Sequence, residues 1–296
     1  MNKGIGYAVG AYTLWGLLPV YWKWLQQVPA PQLISHRVVW SFLFLCGVLG
    51  FSHRAVAFRA AIRQPRLLGW YCVAGAFLSV NWLVYVWAVN AGFILETSLG
   101  YFINPLLSVV LGVVFLRESL RPWQWAAVGV AAAGVLYLAL AYGALPWIAL
   151  TLALSFGSYG LVKKIAPLGS LYGLTLETGL LLVPALAYLL YSEAMGQGAF
   201  LHAGTLSDWL MVGAGPITAV PLLMFAASAR RIPLSLVGVL QYITPTLQFL
   251  LGVLVYHEPF TAGRLIGFGI VWTALIVFAA ESALFRRARP VAAQAS

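Results

Sequence analysis

Five ionisable side chains fall inside long apolar runs of the chain: Lys23, His36, Arg37, Glu96 and Glu177. A charge at the centre of a hydrocarbon layer costs about 3 kcal/mol unless it is paired or hydrated, so each of the five is a candidate for chemistry. Counted at 1.5 Å per helical residue, Lys23, Arg37 and Glu96 lie within about 10 Å of one boundary of their runs, on three separate segments. Together they can form one polar cluster, suited to the carboxylate or amine of a zwitterionic solute, with His36 and Glu96 as proton carriers. The competing reading is a structural ion-pair network in which Lys23 snorkels to the interface. Glu177 lies about a third of the way in from the opposite boundary. With Lys163 or Lys164 it would make a charged gate, and a static tie between helices is equally consistent with the sequence.

Uncharged polar groups cluster near the middle of the runs: Asn81, Tyr85, Tyr101 and Asn104, then Ser158, Tyr159, Thr218, Gln241, Tyr242, Thr244 and Gln248. They can hydrogen-bond a polar solute without adding fixed charge, and Trp15, Trp82 and Trp87 offer stacking faces. Several of them are expected to be helix-to-helix hydrogen bonds instead. Pro105 and Pro245 sit mid-run, each after a hydrogen-bonding residue, Asn104 or Thr244. Each removes one backbone bond, which allows a kink that either moves or merely shapes the bundle. Catalytic constellations are missing. His257 and Glu258 are followed by no second His, Asp208 is the sole aspartate, Ser158 sits in a GSYG run, and no GxxxxGK[ST] loop for ATP occurs. Cys46 and Cys72 lie in apolar runs without metal or disulfide spacing and read as buried small hydrophobes. No metal and no cofactor is expected.

These groups need apolar elements to hold them. Of the 296 residues 62% are hydrophobic and only 8% charged, with mean hydropathy +0.92, whereas soluble domains carry about 25% charge. Despite a formal charge of +10, this composition excludes a nucleic-acid binder and describes an all-α integral membrane protein. Ten spans are expected, at 4–25, 31–51, 67–89, 94–116, 122–141, 144–163, 170–191, 207–227, 234–257 and 261–284, each able to cross a hydrocarbon core of ~30 Å. The first carries Trp15, Pro19 and Lys23 and lacks a signal-peptidase site, so it is expected to remain in place. Taken in order, the spans put all but Lys23, Arg37 and Arg264 of the 17 Lys and Arg side chains on one side. That side is expected to be the cytoplasm, with both termini there. The stretch 53–66 places Arg59, Arg63 and Arg66 on one helical face and reads as a surface helix on the inner leaflet.

The chain also repeats itself. The shift that carries Ile103 onto Ile243 also carries Pro105, Leu107, Leu111, Gly112, Val113, Glu118 and Gly129 onto Pro245, Leu247, Leu251, Gly252, Val253, Glu258 and Gly269, without a gap. The same shift pairs Gly75 with Gly215 and Arg37 with Glu177, and one further residue pairs Gly16 with Gly157 and Lys23 with Lys164. Two five-span units follow, residues 1–142 and 143–285, with a basic cytoplasmic tail at 286–296. Because five is odd, the second unit enters the membrane from the opposite side. Inverted-topology repeats are the architecture of many secondary transporters, whose halves exchange outward-open and inward-open shapes about a midplane site.

Seven segments carry a resemblance: HRVVWS (36–41), NWLVYVWAVN (81–90), SLGYFINPLLSVVLGVVFLRE (98–118), SFGSYGLVKK (155–164), LTLET (174–178), GPITAVPLLMF (215–225) and LQYITPTLQFLLGV (240–253). The chain resembles the EamA type of the drug/metabolite transporter superfamily, in its RarD-like branch, over nearly its whole length. The resemblance implies ten helices in two inverted repeats, a cavity formed by the first four helices of each, and a peripheral fifth helix that can support a homodimer. It implies a permease of the bacterial cytoplasmic membrane, with membrane lipid around it; small polar or amphipathic metabolites or drugs are the expected substrates, and the proton gradient is the motive force if there is one. A channel-like facilitator and a lipid flippase or scramblase remain the alternatives.

Overall fold

The computed structural model describes residues 3–52, 58, 64–91, 93–142, 145–257 and 262–288. Most of the expected surface helix at 53–66, Glu258 and the tail beyond 288 lie outside the described residues, as do the side chains of Glu96 and Arg264. The described residues form ten helices in chain order: α1 (Lys3–Lys23), α2 (Ala30–Phe51), α3 (Pro65–Asn90), α4 (Ile94–Leu116), α5 (Pro122–Tyr142), α6 (Trp147–Ile165), α7 (Ser170–Ala194), α8 (Thr205–Ala229), α9 (Leu234–Val255) and α10 (Ala262–Ala288). All ten expected spans are present, and α10 runs a few residues further than its apolar run. A helix is what the composition demands, because lipid offers no partner to an unpaired backbone N–H or C=O. Prolines mark several starts, at Pro31, Pro65, Pro122, Pro146 and Pro233, where a missing N–H costs nothing.

The helices α2 to α9 are long and apolar enough to cross a membrane; within α10 the apolar stretch is Leu265–Phe278, and α1 is diluted by tyrosine, glycine and its terminal lysines. The outward faces are apolar as well: Leu83, Val114, Leu140, Val183 and Ile276 are all exposed. Cys46 and Cys72 share this surface, so the expectation of burial is corrected. In a bilayer an apolar residue is at home on either side of a helix, and hydrophobicity does not report which.

Packing follows the repeat. Helix α2 packs on α7, α4 on α9 and α5 on α10, so these helices meet their own counterparts. The contacts of α1 with α8 and α9 are mirrored by those of α6 with α3 and α4, and α2 on α8 by α7 on α3. Single residues obey the same relation. A Cβ at Gly16 of α1 would stand 2.7 Å from Leu247 of α9, and one at Gly157 of α6 would stand 3.0 Å from Leu107 of α4. Arg117 and His257, also equivalent, both leave their helices in the left-handed conformation, with φ of 53° and 51°.

One difference between the repeats is local. Helix α4 runs unbroken through Pro105, whereas α9 is interrupted at Tyr242 between Leu234–Gln241 and Ile243–Leu250, then finishes as a π-turn over Leu251–Val255. The break lies one turn before Pro245, where the proline ring would collide with the carbonyl of Gln241. Of the two expected kinks, the one at Pro245 is thus a break in the helix.

Candidate functional site: a charged node in each half of the bundle

In the half of the bundle nearest the cationic ends, Glu177 of α7 is fully buried. Its Oε1 accepts from Lys163 Nζ at 2.7 Å and its Oε2 from the Tyr159 hydroxyl at 3.0 Å, both on α6. The lysine ammonium also lies 5.7 Å from the ring of Tyr71 on α3 and 5.6 Å from that of Tyr159. Only 3% of Lys163 is exposed, so the pair is removed from solvent and lipid alike. Burial makes such a pair demanding, because an ion without its partner would carry the full desolvation penalty.

Lys164 is not part of that pair. Successive helical residues point about 100° apart, and Lys164 turns instead to the end of α8, donating to the carbonyls of Ala229 (3.1 Å) and Ile232 (2.7 Å). Its ammonium stands 3.7 Å from Glu118. Glu118, just past α4, caps α9: its carboxylate accepts the backbone N–H of Leu234 (2.6 Å) and Ser235 (2.9 Å) and the Ser235 hydroxyl (2.7 Å). A carboxylate against a helix N-terminus is favourable both as a hydrogen-bond acceptor and as a charge. Arg230 donates to the carbonyls of Ala166 and Leu168, so the ends of α4, α6 and α8 and the start of α9 are tied together on this face, where Arg121 at the start of α5 also pairs with Glu281 of α10. The sequence carries no sign of this network, because most of its partners are backbone groups, which leave no mark in a sequence.

Toward the opposite face, Arg37 of α2 holds the position equivalent to Glu177. Its Nε donates to the Thr218 hydroxyl at 3.0 Å, and its guanidinium lies 5.0 Å from the ring of Trp22 and 4.9 Å from that of Trp82. Tyr85 and Tyr101 stand nearby, rings tilted edge to face at 6.2 Å. The expected outer cluster is not assembled by all of its members. Lys23 sits over Tyr256 at 3.7 Å, and His36, one residue before Arg37, faces away to pack on Phe200 at 5.1 Å.

Between the nodes lies an aromatic plug that the sequence did not announce. Tyr12 and Trp15 of α1, Phe156 and Tyr159 of α6 and Phe225 of α8 form a connected set of ring contacts 5.2 to 6.3 Å apart. Tyr12 and Tyr159 have no exposed surface. Most of the mid-run polar groups tie helices together: Asn81 donates to Leu152 and Ser155, Tyr242 to Phe102, Thr244 to Tyr12 and Gln248 to Trp15. Gln241 is buried in the same region, while Trp87 is at the surface against Phe93 and Trp147. The buried Asn104 Oδ1 and Tyr12 hydroxyl have no hydrogen-bond partner among the described residues.

Comparison with known proteins decides the family. Residues 2–140 match the EamA-like transporter family. The chain is 46% identical over 291 residues to the uncharacterized transporter YojE of Bacillus subtilis, covering 97% of each chain. It is 45% identical to Protein RarD of Streptomyces exfoliatus, over 93% of this chain and 88% of the other. It belongs to the RarD-like branch of the EamA family. Protein RarD of Escherichia coli is 40% identical over 97% of both chains. A crystal structure 20% identical in sequence superposes with a TM-score of 0.71 over 94% of this chain and 97% of the other, which shows the shared fold. The two nodes and the plug are therefore features of a multi-pass membrane transporter.

Proposed function

We propose that this EamA-family chain is a secondary transporter for small polar or amphipathic metabolites, working by alternating access between the Arg37 node and the Glu177 node. The observation that carries the reading is a broken symmetry. Equivalent residues meet at the centre, yet the two halves differ: α4 is unbroken and α9 is not, Glu177 is sealed in an ion pair and Arg37 is only partly buried. Exchanging the two arrangements between repeats would close the outer half and open the inner one. The cationic face, with its tied helix ends, is the cytoplasmic one in this reading, so both termini lie on the cytoplasmic side of the bacterial inner membrane. The repeats are residues 1–142 and 143–285, with 286–296 as the basic end. Helices α5 and α10 pack on each other, to one side of the plug, and offer the surface for a homodimer. Breaking the Lys163–Glu177 pair opens the inner mouth, and ATP plays no part.

The test is counterflow in liposomes containing the purified chain, with amino acids, amines, organic acids and small drugs, with and without an imposed pH gradient. Saturable counterflow supports a carrier, and its response to the gradient reports proton coupling. Unsaturable flux or conductance indicates a channel, and accelerated lipid exchange without solute uptake indicates a scramblase; either would overturn the proposal.

A further inference from the structure

Arg37 and Glu177 are equivalent residues of the two repeats, and their surroundings answer a charge in opposite ways. Around Glu177 the protein supplies the counter-ion itself, Lys163 Nζ at 2.7 Å, and the Tyr159 hydroxyl completes the shell. The residue equivalent to Lys163 in the first repeat is Trp22, and it is Trp22 that stands beside Arg37, at 5.0 Å. Trp82 lies at 4.9 Å, and Nε is taken by the Thr218 hydroxyl at 3.0 Å. None of the ion pairs among the described residues includes Arg37. The same molecule thus shows a paired node and, at the equivalent place, a cationic node whose neighbours among the described residues are aromatic rings and a hydroxyl rather than an anion.

We propose that Arg37 anchors a ligand site for an organic monocarboxylate with an apolar or aromatic body. With Nε occupied, the two terminal nitrogens remain as a planar fork, the geometry that takes a carboxylate by two parallel hydrogen bonds. The indoles of Trp22 and Trp82 favour the cation and exclude water, which strengthens the contact with an incoming anion. With Tyr85 and Tyr101 they also provide an apolar, stacking wall for the rest of the ligand. A single cation does not neutralise a phosphate dianion, and an ammonium ligand would meet a like charge. This assignment rests on the transporter reading above and narrows its substrate class.

The experiment measures equilibrium binding to the purified full-length chain in lipid nanodiscs, using benzoate, benzamide, benzylamine and inorganic phosphate, with phenylacetate and hexanoate as further carboxylates. Benzoate or another of the carboxylates should bind saturably, and benzamide, benzylamine and phosphate should bind roughly tenfold or more weakly, the difference expected for a lost charge-assisted hydrogen bond. Arg37→Gln should remove the preference for the acid over the amide, and Arg37→Lys, which keeps the charge and loses the fork, should retain only part of it. Equal binding of acid and amide by the wild-type chain, binding of none of the carboxylates, or unchanged acid affinity in a folded Arg37→Gln protein would overturn the assignment. The wild-type comparison holds even if a variant fails to fold. Counterflow run in parallel separates the two claims. Arg37-dependent binding of the acid without flux leaves the site and removes the carrier; saturable flux of a neutral or cationic solute, unaffected by Arg37→Gln, leaves the carrier and removes the site.

Discussion

Trp15 of α1 and Phe156 of α6 stand at equivalent places in the two repeats and touch edge to face, with ring centroids 5.7 Å apart. Phe102 and Tyr242 are a second equivalent pair in contact, through the Tyr242 hydroxyl and the Phe102 carbonyl at 3.2 Å. Contacts between equivalent residues mark the axis that relates the halves, and here that axis runs through closed aromatic packing. Under the alternating access proposed above, opening the inner half would separate Tyr12, Tyr159 and Phe225.

Glu177→Leu leaves Lys163 buried without a counter-ion and is expected to cost about 3 to 5 kcal/mol. Lys163→Met combined with Glu177→Leu should recover much of that loss, since an apolar pair of similar volume needs no desolvation. Thermal unfolding of the purified single and double variants measures both; a double variant as unstable as the single would show that the pair is not the reason.

Gly215 of α8 lies against the backbone of α2. A Cβ there would stand 2.3 Å from the carbonyl carbon of Trp40, and the Gly215 carbonyl accepts from Ser41 Oγ at 3.0 Å. Gly215→Ala should therefore push α2 from α8 and cost about 1 to 3 kcal/mol. Gly157→Ala meets only side chains, Leu107 at 3.0 Å and the end of Leu111 at 3.3 Å, and should cost less. Comparing the two melting temperatures tests the distinction.

Glu118→Gln keeps one acceptor but removes the charge facing the first turn of α9 and the Lys164 ammonium. A loss of about 1 kcal/mol is expected. Hydrogen exchange should show faster opening confined to the start of α9 and the end of α8; uniform loosening of the whole bundle would speak against a local cap.

Pro245→Ala restores the missing N–H and should let α9 run through Tyr242, whereas Pro105→Ala changes a helix that is already continuous. Counterflow by Pro245→Ala should slow severalfold while Pro105→Ala stays near wild type. Equal rates in both variants would remove the break in α9 from the mechanism.

Much of this is legible in the sequence alone. Apolar runs fixed the number of helices, the side holding Arg117, Arg230 and Lys164 fixed their shared face, and the pairing of Pro105 with Pro245 and Arg37 with Glu177 exposed the repeat. These follow from the chain alone because a bilayer imposes span length, internal backbone pairing and charge segregation on each segment separately. The tertiary structure decided everything that depends on which way a helix faces. It chose Lys163 over Lys164 for Glu177, turned His36 away from Arg37, placed Cys46 and Cys72 at the surface and assembled Tyr12, Phe156 and Phe225 into a plug. In water an apolar stripe tells a helix where its core lies, but between lipid and protein both faces are apolar, and only close packing across the bundle distinguishes them.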